Sequence, residues 1–196
     1  SDGRGASPPN PRPGSTRRRV NFYGKVIMVI LGIDPAIRTT GYGVIRTDSL
    51  SHLEILDCGV IANSPKLPHS ECLRRLAGGI RELVQAFHPD YASIEEPFMG
   101  RNASTAIILG MARGGILTAL VESGVPTYAY SPKTAKRAAV GTGMATKEQI
   151  AILLAAELGI EIERIPLDST DALALAICHA QLAMRPTLAE KMGKPL

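Results

Sequence analysis

Cysteine is scarce and poorly placed for cross-linking. Cys58, Cys72 and Cys178 are odd in number, far apart and without metal-ligand spacing, so neither a disulfide framework nor a zinc site is expected. Buried apolar thiols in a reducing compartment fit best. No apolar stretch of membrane-spanning length stands out, and no secretory h-region precedes the first polar motif, so a soluble protein is expected. Internal repeats and coiled-coil heptads are also missing, which removes solenoids and fibrous assemblies. The four histidines, His52, His69, His88 and His179, show no triad or ligand spacing and receive no role.

What is present is a chain of 196 residues with 45% hydrophobic content, enough for one domain with a sizeable core and too little for two large ones. The formal charge of +4 is concentrated at the start. Residues 1–27 hold Arg4, Arg12, Arg17, Arg18, Arg19 and Lys25 against Asp2 alone, whereas the remainder balances 16 basic with 17 acidic groups. Bulk charge therefore does not mark the folded part as a nucleic-acid binder, and individual basic positions must carry any such case. The Pro, Gly, Ser and Arg content of residues 1–27 predicts a disordered basic leader. A scar or a mis-assigned start upstream of Met28 is favoured over a targeting segment or a nucleic-acid arm.

From Met28 the run to Asp34 is continuously apolar and β-branched, the pattern of a strand covered on both faces. Gly41–Arg46 and Leu53–Ile61 read as two further strands, giving an antiparallel meander. Helical spacing of Leu73, Leu76, Ile80, Leu83, Val84 and Phe87 predicts a helix over about 71–87, stopped by His88-Pro89. Tyr91–Glu95 is a short strand, 102–122 a helix capped by Asn102, and Val125–Tyr130 another strand. Ser131-Pro132 opens a helix that Gly141-Thr142-Gly143 breaks. Thr146 to Gln149 has capping-box spacing before a helix to about Leu158. A last helix starts near Asp168 and runs toward Leu182. This order predicts an α/β fold: a mixed sheet with helices on its faces over 28–184, and a flexible tail over 185–196.

Two apolar strands that each end on an acid, Asp34 and Glu95, are unusual, because a strand core buries a carboxylate only at a cost unless it is paired, solvated or liganded. Were the two strands parallel neighbours, both side chains would emerge at one end of the sheet. Asp168 and Asp171, three apart before an Ala/Leu/Ile-rich helix, can point at one site, although helix capping and dipole complementarity would equally place acids there. Four converging carboxylates suit hard divalent cations and phosphodiester hydrolysis.

Gly32-Ile33-Asp34-Pro35-Ala36-Ile37-Arg38-Thr39-Thr40-Gly41-Tyr42-Gly43-Val44 closely resembles the opening motif of the RuvC family of crossover (Holliday) junction endodeoxyribonucleases. Ile94 to Ala103, Ala112-Arg113-Gly114, Val140 to Gly143, and Asp168 to Ala176 follow in that family's order. The resemblance implies a ribonuclease-H-like fold with helices on both faces. It implies a homodimer with two active sites on a four-way DNA junction, and magnesium-dependent symmetric nicking in recombination and repair, with manganese as a substitute. It carries over Asp34, Glu95, Asp168 and Asp171 as metal-binding catalytic acids, with Glu95 preferred to its neighbour Glu96 because it follows Ile94 in the family register. Phe98 is carried over as a wedge that stacks on a junction base, with Arg101 and Asn102 beside it as DNA contacts, and Lys136 and Lys147 as basic positions that contact DNA or help the site. Lys133, Arg137 and Arg113 are looser candidates. RuvA and RuvB are implied partners, and a cytoplasmic, nucleoid-associated location of bacterial type is implied. Ala36 stands where the family has glycine, so the turn after Asp34 is expected to avoid positive φ. The rival readings are a YqgF-like nuclease of the same fold acting on structured RNA, and a non-catalytic junction-binding module.

Overall fold

The computed structural model describes residues 19–20, 26–49, 51–97, 102–185 and 193–196. Its strands are β1 (Arg19–Val20), β2 (Val26–Asp34), β3 (Thr39–Ser49), β4 (His52–Ala62), β5 (Tyr91–Glu95) and β6 (Thr127–Tyr130). The helices are α1 (His69–Phe87), α2 (Ala103–Glu122), α3 (Pro132–Val140), α4 (Lys147–Leu158) and α5 (Thr170–Ala183). The sheet runs β4-β3-β2-β5-β6, with β1 pairing the start of β2. β2, β3 and β4 form the antiparallel meander. β5 lies parallel to β2, and β6 parallel to β5, each reached through a helical crossover.

Alternation along β2 explains its unbroken apolar run. Val29, Leu31 and Ile33 belong to a core shared with α1 and α2, whereas Ile30 packs in a second core with α4 and α5. Both faces of the strand are thus covered by helices, and Val29 to Ile33 are sealed from water. The same period sets β5, where Ala92 and Ile94 face the α1/α2 side and Tyr91 the α5 side.

The α5 face has a floor without side chains. A Cβ added at Gly32 would lie 1.9 Å from the Ala172 carbonyl oxygen, and one at Gly41 would lie 2.0 Å from that of Asp168. At Gly43 it would meet the Leu173 side chain at 2.5 Å. Gly43 is the register partner of Gly32, and Gly41 that of Asp34, so the three form one patch on which the start of α5 sits. Farther along α5, His179 is fully buried and its Nδ1 lies 2.7 Å from the Tyr130 hydroxyl. The rings of Tyr91 and Tyr128 flank it at 4.9 and 4.7 Å. Its Nε2 has no hydrogen-bond partner, leaving the aromatic faces as its neighbours. Burial pushes the imidazole down to about 4, so it is neutral.

Several expectations are revised. β2 begins at Val26, and Arg19–Val20 forms a short ladder with Val26–Ile27, so part of the stretch read as leader is hydrogen-bonded sheet. The last residue of the tail is also tied, by the Leu196 amide donating to the Thr127 carbonyl at 2.9 Å. Strand β6 starts at Thr127 rather than Val125, because Pro126 lacks a donor for the ladder. The helix expected from Asp168 begins at Thr170, preceded by a separate 3₁₀ turn over Leu167–Ser169. Finally, α2 is 20 residues long with a hydropathy of 1.6, apolar enough by composition to span a membrane. Its Ala, Gly and Ile content produces that value around a central Arg113. Ala112, Ile116, Ala119 and Leu120 pack into the α1/α2 core. Among the described residues, His88 is the one non-glycine residue with positive φ, so Ala36 sits in an ordinary conformation.

Candidate active site

Period-2 alternation aims the two strand-end acids. Asp34 lies two residues beyond Gly32, and Glu95 four beyond Tyr91, so both project on the α5 side. The parallel register Ile33↔Ile94 brings them side by side. Glu96 falls on the exposed surface, its amide donating to the Tyr130 carbonyl. The turn after Asp34 is closed by Thr40, whose hydroxyl donates to the Ala36 carbonyl at 2.6 Å and accepts from the Ala36 amide at 3.1 Å. Arg38 ties that turn to the loop before α1, donating to the carbonyls of Ser64 and Leu67 at 2.7 and 3.0 Å. A motif arginine that could have been read as a phosphate contact is therefore structural.

From above, the glycine floor lets the 3₁₀ turn and α5 bring Asp168 and Asp171 down to the same end. The four carboxylates feel one another. Burial raises the Asp34 pKa, and Asp171 and Asp168 add to it, while a hydrogen bond from Glu95 and the charge of Lys147 oppose it. Burial, followed by the Asp34 charge and hydrogen bond and the Asp171 charge, pushes the Glu95 carboxyl up to about 7, with Lys136 working against the rise. Both carboxyls of this pair therefore hold a proton more readily than an isolated acid does.

Two lysines complete the group. Lys136 Nζ, from α3, is 3.3 Å from Asp171 Oδ1. Lys147 Nζ, from the first residue of α4, is 3.1 Å from Asp168 Oδ1 and 3.8 Å from Asp171 Oδ2. Burial disfavours the Lys147 ammonium, but the Asp168 hydrogen bond and the charges of Asp171, Asp168 and Asp34 outweigh it and hold its pKa up. Among the described residues no three acids are close enough to clasp one cation in this conformation. Asp171 Oδ1 is buried and has no hydrogen-bond partner, since the nearby Lys136 ammonium lies outside hydrogen-bond geometry.

The other expected residues sort differently. Phe98 and Arg101 lie outside the described residues. Asn102 caps α2, its Oδ1 accepting from the amides of Ser104 and Thr105 at 3.0 and 3.3 Å. Lys136 and Lys147, expected on DNA or in support of the site, are engaged with the acids. Arg113 lies in a small pocket with Pro35, Glu95, Glu96 and Pro97, its Nη1 buried without a hydrogen bond. Sequence reasoning missed the glycine floor and the His179 anchor. Alternation counted back from Asp34 to Gly32 would have hinted at the former, whereas nothing local signals the latter.

The chain is 40% identical over 161 residues to the crossover junction endodeoxyribonuclease RuvC of Chloroflexus aurantiacus, covering 82% of this chain and 96% of that protein. The structure of Thermus thermophilus RuvC in complex with Holliday junction substrate is similar with a TM-score of 0.76 and 36% identity, covering 86% of this chain and 99% of that one. The yeast mitochondrial Holliday junction resolvase Ydc2 shares the fold, with a TM-score of 0.57 at 16% identity and 83% of each chain covered. The family profile described as crossover junction endodeoxyribonuclease RuvC matches residues 30–179, and with a sheet of ribonuclease-H-like order and the acids at its carboxyl end, the chain belongs to the RuvC family.

Proposed function

We propose that this protein resolves four-way DNA junctions by symmetric, metal-dependent nicking during recombination and repair. The observation that carries the reading is the side-by-side pairing of Asp34 and Glu95, within electrostatic reach of Asp171 and, for Asp34, of Asp168, in a chain of the RuvC family. The donor set fits a hard divalent cation: all four are carboxylates, and the buried, unpartnered Asp171 Oδ1 is an acceptor short of a donor. Asp34, Glu95, Asp168 and Asp171 would hold magnesium as a pair of ions, in the sense of two-metal hydrolysis, with manganese as a substitute. Bound there, the metal supplies an activated water and charge stabilisation at the departing oxygen.

The chain's own groups do the rest. Asp34 and Glu95 would orient the attacking water at the strand ends. Lys136 and Lys147, once metal takes the acids they now face, would meet phosphate oxygens. No side chain need be the nucleophile, so attack in line by water leaves 5′-phosphate and 3′-hydroxyl ends.

Symmetric cutting calls for two sites. The outer face of α2 exposes Ile107, Met111 and Val121, and Gly110 and Gly114 have open space where a Cβ would stand. That smooth apolar face supports a homodimer, whose two-fold axis matches that of a junction. Family membership supports RuvA and RuvB as partners, and three free thiols suit work at the nucleoid in a reducing bacterial cytoplasm.

A nicking assay on an immobile four-way junction, with and without magnesium, tests the reading. Paired cuts near the crossover only with metal are expected, with Asp34→Asn binding the junction but not cutting it. Cutting of structured RNA but not of the junction would overturn the substrate, and Ile107→Arg should yield inactive monomers by sedimentation.

A further inference from the structure

We infer that Lys147, supported by Lys136, is a built-in place-holder for the divalent cation: its ammonium occupies the acids until metal displaces it, and DNA favours metal loading by drawing it away. This rests on the metal-dependent reading above. The geometry begins at Asp171. One of its oxygens lies 3.3 Å from Lys136 Nζ and the other 3.8 Å from Lys147 Nζ, which also reaches Asp168 at 3.1 Å. Any cation bound through Asp168 and Asp171 must displace the Lys147 ammonium from Asp168 Oδ1, its hydrogen-bond acceptor, and compete with the charge of both ammoniums beside Asp171.

The two lysines are not held equally. Lys136 and Asp171 are 21% and 18% exposed, and Lys136 also approaches the Ala145 carbonyl at 3.4 Å. Lys147 and Asp168 are 37% and 59% exposed, so water screens their attraction. Lys147 is moreover the first residue of α4, behind the Thr146 cap, where the helix dipole disfavours a positive charge. It is kept there by the acids and opposed by its own helix. Of the two it is the one built to leave.

Once a doubly charged ion takes the carboxylates, the displaced ammonium finds its next anionic partner in a DNA phosphate. In the other direction, a phosphate that captures Lys147 frees Asp168 and Asp171. Linkage then requires each ligand to raise the affinity of the other.

The test is direct binding of Mn2+, followed by the electron paramagnetic resonance signal of the free ion, in wild type, Lys147→Met, Lys147→Arg and Lys136→Met. Folding of each variant is checked by thermal melting. Without DNA, Lys147→Met should bind Mn2+ about two- to tenfold more tightly than wild type, and Lys147→Arg should stay near wild type. A linear duplex, which supplies phosphates but no crossover, should tighten Mn2+ binding in wild type and leave Lys147→Met unchanged. Equal or weaker Mn2+ binding by Lys147→Met overturns the place-holder role, and an equal effect of duplex on both proteins overturns the coupling. If Lys147→Met does not fold, Lys136→Met must show the same tightening, and its failure to do so overturns the inference. If wild type binds no Mn2+ and Asp34→Asn changes nothing, the metal reading itself fails and this one with it.

Discussion

Asp34→Asn should make the metal-free protein more stable while abolishing nicking. Three carboxylates meet at one end of the sheet with Asp168 beside them, and the Glu95 carboxyl is displaced from an ordinary 4.5 to about 7. Because its folded value is raised, the stabilisation from holding that proton is fully present below pH 4.5 and is lost as pH rises through 7. The displacement corresponds to at most ~3 kcal/mol at 1.36 kcal/mol per pH unit. Water still reaches the group, and screening reduces the effect to roughly 1–2 kcal/mol. Asparagine removes the neighbouring charge and keeps a hydrogen-bond acceptor for Glu95, so about 1 kcal/mol should be recovered at pH 8, or ~2–4 °C in Tm for a domain of this size. Thermal melts in EDTA at pH 8 and pH 4.5 measure it. A gain of the same size at both pH values, or a loss at pH 8, would refute the electrostatic reasoning. Adding magnesium should reverse the order, raising the Tm of wild type and not of the variant.

Gly41→Ala drives a Cβ into the Asp168 carbonyl, which is backbone and yields little. About 1–3 kcal/mol of stability should be lost in urea titrations, along with most of the magnesium-dependent rise in Tm. The His179 imidazole, lowered from 6.5 to about 4, leaves full stability above pH 6.5 and removes up to ~3 kcal/mol as pH falls through 4. His179→Phe should flatten that acid limb in stability-versus-pH curves while costing roughly 1–3 kcal/mol at neutral pH for the stranded Tyr130 hydroxyl. Thr146→Ala breaks a reciprocal capping box with Gln149 and should cost about 1 kcal/mol, visible as faster amide exchange at the start of α4.

Much of the frame was readable because its signals are local. The meander, the helix after it, the Asn102 cap and the Thr146–Gln149 box depend on a few neighbouring residues whose hydrogen bonds are settled within one turn. The strand-end acids were visible for the same reason: a carboxylate closing an apolar run stands out without a partner in view. What stayed hidden depends on docking. That Asp34 and Glu95 share a face follows from β2–β5 register, and that α5 can descend onto them follows from Gly32, Gly41 and Gly43, whose empty side chains mean nothing until a helix lies across them. Lys136 and Lys147 were singled out by resemblance alone, because the acids they meet come from a segment more than twenty residues later. His179, one apolar-helix position among many, gave no hint of the tyrosines that enclose it. The 3₁₀ turn at Asp168 was missed because the spacing of two acids cannot distinguish one continuous helix from a turn followed by one.

Helix α5 carries Asp171 at one end and is bolted through His179 to Tyr130 farther along. Each residue of an α-helix advances it by about 100°, so the eight steps between those positions fix the direction in which the acid looks. A single insertion or deletion within that stretch would swing the carboxylate a quarter turn away from Asp34 and Glu95 while leaving composition and hydrophobicity nearly untouched. The loop between β4 and α1 should accept changes in length; this one segment works as a ruler, and variation in the chain is expected to proceed there by substitution alone.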